Sequence, residues 1–250
     1  MKKWFIIAVV GLILTGSAYG QADLQENFNR GNVLYADGDF RGAIEAFKKA
    51  AESGYASPEL YFNLGNAYFR DGQLGKSLVN YIRARRLDPR DEDILTNIEF
   101  ARQYTVDRLE VSEEAILLDY VNRFFDWFRL SEIAWVSAIL YLILVIIIIA
   151  GFLYRWIVIP KAVLSLVLVL FIIAGILTAV KYDRDVATRT GVVAVSSVDV
   201  KNGPGEDFKN QFTAHAGLIF SIDREDSGWY LVNFENRVKG WLPKTAIAEI

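Results

Sequence analysis

Gly31–Ala50 reads GNVLYADGDFRGAIEAFKKA, and Gly65–Ala84 reads GNAYFRDGQLGKSLVNYIRA. Gly31 and Gly65, Asn32 and Asn66, Asp37 and Asp71, Gly38 and Gly72, Phe47 and Tyr81, Ala50 and Ala84 each stand 34 residues apart. A fixed period of this length marks stacked helix pairs, each too small to bury its apolar face alone. Gly31 and Gly65 let two helices approach closely, and each Asp-Gly ends one helix and turns the chain into the next. Pro89 stops the second pair. EDILTNIEFARQY, Glu92–Tyr104, reads as a further helix that covers the exposed end, which a solenoid requires.

The period and its residue types resemble the tetratricopeptide repeat. Tyr61, Leu64, Gly65, Tyr68, Tyr81, Ala84 and Pro89 fall on that family's positions in the second copy. In the first copy Asn27 and Arg30 stand where large apolar residues are usual. The resemblance implies a concave face that holds peptides, and counting along its first helices places Phe28, Asn32, Tyr35, Phe62, Asn63, Asn66, Phe69 and Arg70 there. Asn32 and Asn63 match two asparagines of the family's carboxylate clamp. The clamp's basic positions hold Phe28, Asp93 and Asn97 instead, which argues against capture of a C-terminal carboxylate. The asparagines either grip a partner or satisfy neighbouring backbone.

Composition narrows the class. The chain is 53% hydrophobic and carries a net charge of −3 without a long basic block, which argues against nucleic acid as a partner. It contains no cysteine, which excludes disulfides, thiolate metal sites and cysteine nucleophiles. With His215 the single histidine, a serine–histidine triad would have to be built around it. MKKWFIIAVVGLILTGSAYG is expected to be a signal peptide, 1–20, with Ala18 and Gly20 before the cleavage point; an uncleaved anchor is the alternative. Ile133–Tyr154 and Ala162–Val180 hold no charged residue and are each long enough to cross a bilayer. The tight RWIVIPK connection makes them an antiparallel hairpin. Ser137, Tyr141, Ser165 and Thr178 are the polar residues within the spans, too few for a transport path, so the hairpin reads as an anchor. Just before it, residues 115–131 carry Leu117, Val121, Phe124, Phe125 and Phe128 on one stripe and Asp119, Asn122, Arg123 and Asp126 on another. They form either an amphipathic interfacial helix or the last helix of the solenoid.

Beyond residue 190 the texture changes to short alternating runs, VVAV, LIFSID, WYLVNF and VKGWLP, separated by turn residues. VDVKNGPGEDF, Val198–Phe208, contains Gly203-Pro204-Gly205 but lacks the Gly-Lys-Ser/Thr and the following helix of a phosphate loop. It is a turn. With HAGLIFSID, SGWYLV and VKGWLP it resembles the bacterial SH3 domain, and Gly203-Pro204-Gly205, Gly217, Trp229-Tyr230 and Gly240-Trp241 fall on that family's motif positions. Trp229, Tyr230 and Trp241 are its candidate ligand surface, or else core and rim packing. His215 is expected to be structural.

The expected architecture is a multidomain membrane protein: an all-α tetratricopeptide solenoid at 21–110, a two-helix transmembrane hairpin at 133–154 and 162–180, and a small all-β SH3-like barrel at 190–250. This order is similar to the BatE-type proteins of the Bacteroides aerotolerance operon. That resemblance implies an inner-membrane scaffold with both soluble domains periplasmic. It also implies von Willebrand A-type Bat proteins and a MoxR-type ATPase system as partners, and a part in oxidative-stress tolerance. The alternative is a peptidoglycan-binding sensor acting through the SH3-like domain. No enzyme, metal or cofactor is expected. The paired acids Asp91-Glu92-Asp93 and Glu225-Asp226 sit in turns or helix starts and read as solvated carboxylates.

Overall fold

A computed structural model describes residues 25–54, 56–107, 124–153, 160–234 and 238–250. The expected signal peptide, most of the amphipathic helix and most of the inter-span turn lie outside these residues. The chain divides into two compact units, Met1–Leu109 with Thr190–Ile250, and Glu110–Arg189.

Among the described residues, the first unit begins with five helices: α1 (residues 25–36), α2 (Phe40–Glu52), α3 (Pro58–Arg70), α4 (Leu74–Leu87) and α5 (Glu92–Arg102). Their ends follow from local chemistry. Asp39 caps α2 by accepting from Gly42 N, Ser57 caps α3 by accepting from Leu60 N ahead of Pro58, and Asp91 caps α5 through Asp93 N and Ile94 N. Gly38 and Gly72 take φ of +82° and +77°, the left-handed conformation that closes a helix. In both copies the residue after that glycine donates back across the turn, Asp39 N to Leu34 O and Gln73 N to Tyr68 O, each at 2.9 Å. The repeat in sequence is therefore a repeat in hydrogen bonding.

The other glycines of the period set helix spacing. A Cβ on Gly31 would lie 2.5 Å from the Phe47 ring, and one on Gly65 would lie 2.6 Å from the Tyr81 ring. Helices α2 and α3 bury Ala43, Ile44, Phe47, Leu60 and Leu64, while α4 and α5 bury Leu78, Tyr81, Ile94 and Ile98. Each of the isoleucine, leucine and phenylalanine side chains among them contributes about 1.5–3 kcal/mol when fully buried.

Among the described residues from 190 onward there are seven strands: β1 (Thr190–Val193), β2 (Ser197–Lys201), β3 (Asn210–His215), β4 (Ile219–Asp226), β5 (Trp229–Phe234), β6 (Lys239–Pro243) and β7 (Ile247–Glu249). They form one antiparallel sheet in the order β3-β2-β6-β5-β4-β1-β7. Bulges at Val200/Lys201 and Ile222/Arg224 interrupt the register, and such bulges bend a strand and increase its twist. The sheet surrounds a core of Val193, Val200, Ala214, Phe220, Val232, Phe234 and Leu242. The expected closed barrel is not formed, because β3 and β7 remain edges. The β7 end is covered by α4 instead. Val79 and Ile82 of α4 pack with Val192 of β1, flanked by Ile219, Ala248 and Ile250. Arg83 Nη2 donates to Glu249 O at 2.6 Å, and Arg86 Nη1 to Ile250 O at 3.4 Å. A helix that supplies apolar cover and donors to carbonyls removes the hazard of an open edge.

The second unit contains a helical turn at 124–127 (α6), α7 (Leu130–Leu153) and α8 (Lys161–Tyr182), the last followed by a π-helical turn, Asp183–Ala187. An 18-residue stretch of each long helix has a mean hydropathy of 3.0, and both helices are long and apolar enough to cross a membrane. α7 starts before its uncharged run and α8 runs past the end of its own, and the charged residues at these two ends find partners. Glu132 accepts from Arg129 N at the start of α7, and Lys181 near the end of α8 pairs with Asp185 at 2.9 Å and donates to Phe125 O at 2.8 Å. Between the helices, the hydroxyls of Ser137 and Thr178 share a 2.9 Å hydrogen bond, and the Tyr141 and Phe171 rings stand 6.0 Å apart. Two of the polar residues on these helices therefore satisfy each other, as half-buried hydroxyls in an apolar setting do.

Candidate functional site

The first helices of the repeats, α1, α3 and α5, carry a shared polar row. Asn63 Nδ2 donates to Asn32 Oδ1 at 2.9 Å, and Asn97 Nδ2 donates to Asn66 Oδ1 at 2.9 Å. Tyr81 Oη from α4 reaches the same Asn66 oxygen at 2.7 Å. Its own burial is the main cause that pushes the Tyr81 phenol up to about 12, so it is a donor throughout the physiological range. An asparagine amide has two donors and a carbonyl with two lone pairs. These bonds orient the amides: Asn66 Oδ1 is filled by its two donors, while the Asn66 amide N–H groups and the other three asparagines retain capacity for a backbone N–H or C=O laid along the row.

Aromatic side chains flank the row. Phe69, Phe100 and Tyr104 form a cluster with centroid separations of 5.5, 5.5 and 5.3 Å, and Phe100 and Tyr104 are 46% and 58% exposed. Phe28 rests against Phe47, Tyr35 against Phe40, and Phe62 against Tyr81, so these three are half-buried and shape the surface from below. Arg70 is exposed, with its guanidinium 4.6 Å from the centroid of the Phe40 ring. Beside it, Asp71 accepts from Gln73 and from Arg41, which hold its carboxyl below the usual carboxylate range.

Of the eight residues read from the sequence, the structure joins Asn32, Asn63 and Asn66 in the row and puts Phe69 at its aromatic end. Asn97, Phe100 and Tyr104 were missed as site residues. The period contained the information, since Asn97 stands 34 residues after Asn63 and Phe100 stands 34 after Asn66.

The sheet presents its candidates differently. Tyr230 and Trp241 are 5% and 6% exposed, and Trp229 is half-buried. Tyr230 Oη donates to Glu249 at 2.8 Å, with Lys244 Nζ 5.0 Å from its ring centroid, and Trp241 carries the Arg224 guanidinium at 5.2 Å. His215 is tied to the Asp107 carboxylate through both its backbone N, at 2.6 Å, and Nδ1, at 2.8 Å. It thereby joins the segment after α5 to the end of β3. The Gly203-Pro204-Gly205 turn is packed by the Phe208 ring, which fills the space a Cβ on Gly203 would need. No helix follows it, in keeping with a turn rather than a phosphate cradle.

Residues 31–72 match the family model of the TPR repeat. A stretch of 48 residues is 46% identical to a TPR repeat-containing protein of Methanocaldococcus jannaschii, covering 19% of this chain and 8% of that protein. The chain thus spans less than a tenth of that relative's length. The N-terminal part is a TPR-like helical region, a module suited to protein–protein interaction and typically non-enzymatic.

Proposed function

We propose that the protein is a non-enzymatic, membrane-anchored adaptor whose asparagine row and aromatic cluster hold an extended segment of a protein partner. The observation that carries this reading is the pairing of Asn32 with Asn63 and Asn66 with Asn97 across α1, α3 and α5, ending at exposed Phe100 and Tyr104. A row of oriented amides suits a peptide backbone, and an exposed aromatic cluster suits an apolar anchor beside it. The α7–α8 hairpin fixes the protein in the inner membrane, with the repeats and the sheet both periplasmic. Anchoring raises the effective concentration of the repeat face for partners in the same membrane. The resemblance to BatE-type proteins supplies the candidates: membrane-anchored von Willebrand A-type proteins and a MoxR-type ATPase system acting in oxidative-stress tolerance.

The test is affinity purification of the tagged full chain from gently solubilised native membranes, beside Asn63→Leu/Asn97→Leu. The partner should co-purify with the native protein and fall at least about tenfold with the variant. Equal recovery from both overturns the reading. The second reading, a peptidoglycan sensor, draws on Trp229, Tyr230 and Trp241. The burial of two of these three rings gives it less surface to work with. Failure of the intact protein to sediment with sacculi removes it.

A further inference from the structure

Where α4 meets the sheet lies a cleft of about 450 Å³, bordered by Tyr68, Lys76, Asn80 and Arg83 on the helical side and Tyr230, Lys244 and Glu249 on the strand side. Its volume falls in the range of small-molecule sites. The side chain that gives it meaning is Asn80, which is 3% exposed. Its Nδ2 donates to Lys76 O at 2.8 Å. Because a backbone carbonyl can only accept, that bond fixes which way the amide is turned. Its Oδ1 is buried and meets no donor among the described residues. Buried carbonyls are rarely left so, and a native exception calls for a bound group.

The charges around the cleft favour an anion. Lys76 Nζ donates to Gln73 and lies 5.6 Å from the centroid of the Tyr68 ring, and Arg83 donates to Glu249 O. Lys244 pairs with Glu225, and Glu249 accepts from Tyr230. Lys76, Arg83 and Lys244 line the cleft against a single lining carboxylate, Glu249, while Glu225 pairs with Lys244 from outside it, so the lining carries an excess of positive charge. Val79, Ile247 and Ala248 supply an apolar floor.

We propose that this cleft binds a small organic monoanion, a carboxylate with an adjacent N–H donor and an apolar stem. The donor satisfies Asn80 Oδ1, the carboxylate meets Lys76 and Arg83, and the stem covers Val79 and Ile247. An N-acylated amino acid has this chemistry, whether as a free compound or as the end of a peptide. The site is separate from the asparagine row and does not depend on the adaptor reading.

The experiment titrates full-length protein in detergent with N-acetylvaline, following heat of binding and thermal midpoint. The uncharged N-acetylvaline methylamide and plain acetate are controls. Saturable binding of N-acetylvaline, with neither control binding as well, is expected. Asn80→Leu, close in size and without the orphaned carbonyl, should fold and weaken binding at least about tenfold. Lys76→Gln should weaken it similarly. An acetylated tetraglycyl-valine that binds as well assigns the site to peptide ends, whereas its loss assigns it to free compounds. No saturable binding, or binding unchanged in Asn80→Leu, overturns the proposal and leaves the cleft to water alone.

Discussion

Tyr81 shows how much a single repeat position does. Its ring lies against Gly65, its hydroxyl holds Asn66, and the whole residue is 2% exposed. A methyl group at Gly65 would have to enter that ring, and overpacking of this kind costs about 1–3 kcal/mol. Gly65→Ala should lower the thermal midpoint of the repeats accordingly, and Tyr81→Ala in the same chain should recover less than its own cavity loses. The phenol also makes a pH prediction. Burial raises it from an ordinary 10.0 to about 12, so the folded state holds this proton more tightly than the unfolded state. Its contribution is full below pH 10 and is lost as pH rises towards 12, amounting to about 3 kcal/mol at most. Denaturant titrations between pH 9 and 12 should show this decline in the native protein and a shallower one in Tyr81→Phe. Identical slopes would refute it.

The elements were legible where period alone decides them. A 34-residue spacing with Asp-Gly turns located α1 to α4, and uncharged runs located α7 and α8 to within a few residues. Alternating apolar residues located most strands. The docking of α4 on the sheet was not legible, because periodicity tells which residues want cover and not what covers them. The hint was on α4 itself, where Leu78 and Tyr81 face the repeats while Val79 and Ile82 face β1. A helix apolar on more than one side is buried on more than one side. The same blindness hid the open sheet, since closing a barrel and covering its edge with a helix need the same strand patterns. Gly75 is the point of closest approach: its Cβ would strike the carbonyl of Val193. Gly75→Ala should therefore separate α4 from β1, destabilising the repeats and sheet together by about 1–3 kcal/mol. Loss of the sheet's unfolding transition alone, with the repeats unaffected, would contradict a shared unit.

At the scale of the whole chain, one compact unit is made from sequence on both sides of the hairpin: Met1–Leu109 and Thr190–Ile250. Arg83 and Arg86 of α4 hold the carbonyls of Glu249 and Ile250, and Asp107 holds His215. In the membrane-anchored adaptor proposed above, such contacts form only when both segments lie on one side of the membrane, so the fold of the first unit and the proposed two-span topology make a single prediction. The absence of native cysteine permits a direct check. Ser53→Cys in the helical part and Glu206→Cys in the sheet are both exposed positions. A membrane-impermeant maleimide added to intact spheroplasts should label both to a similar extent. A cysteine placed in the inter-span turn, Trp156→Cys, should react only after permeabilisation. Labelling of Ser53→Cys without Glu206→Cys would place the segments on opposite faces, and α4 could not then cover the sheet in the membrane-bound protein.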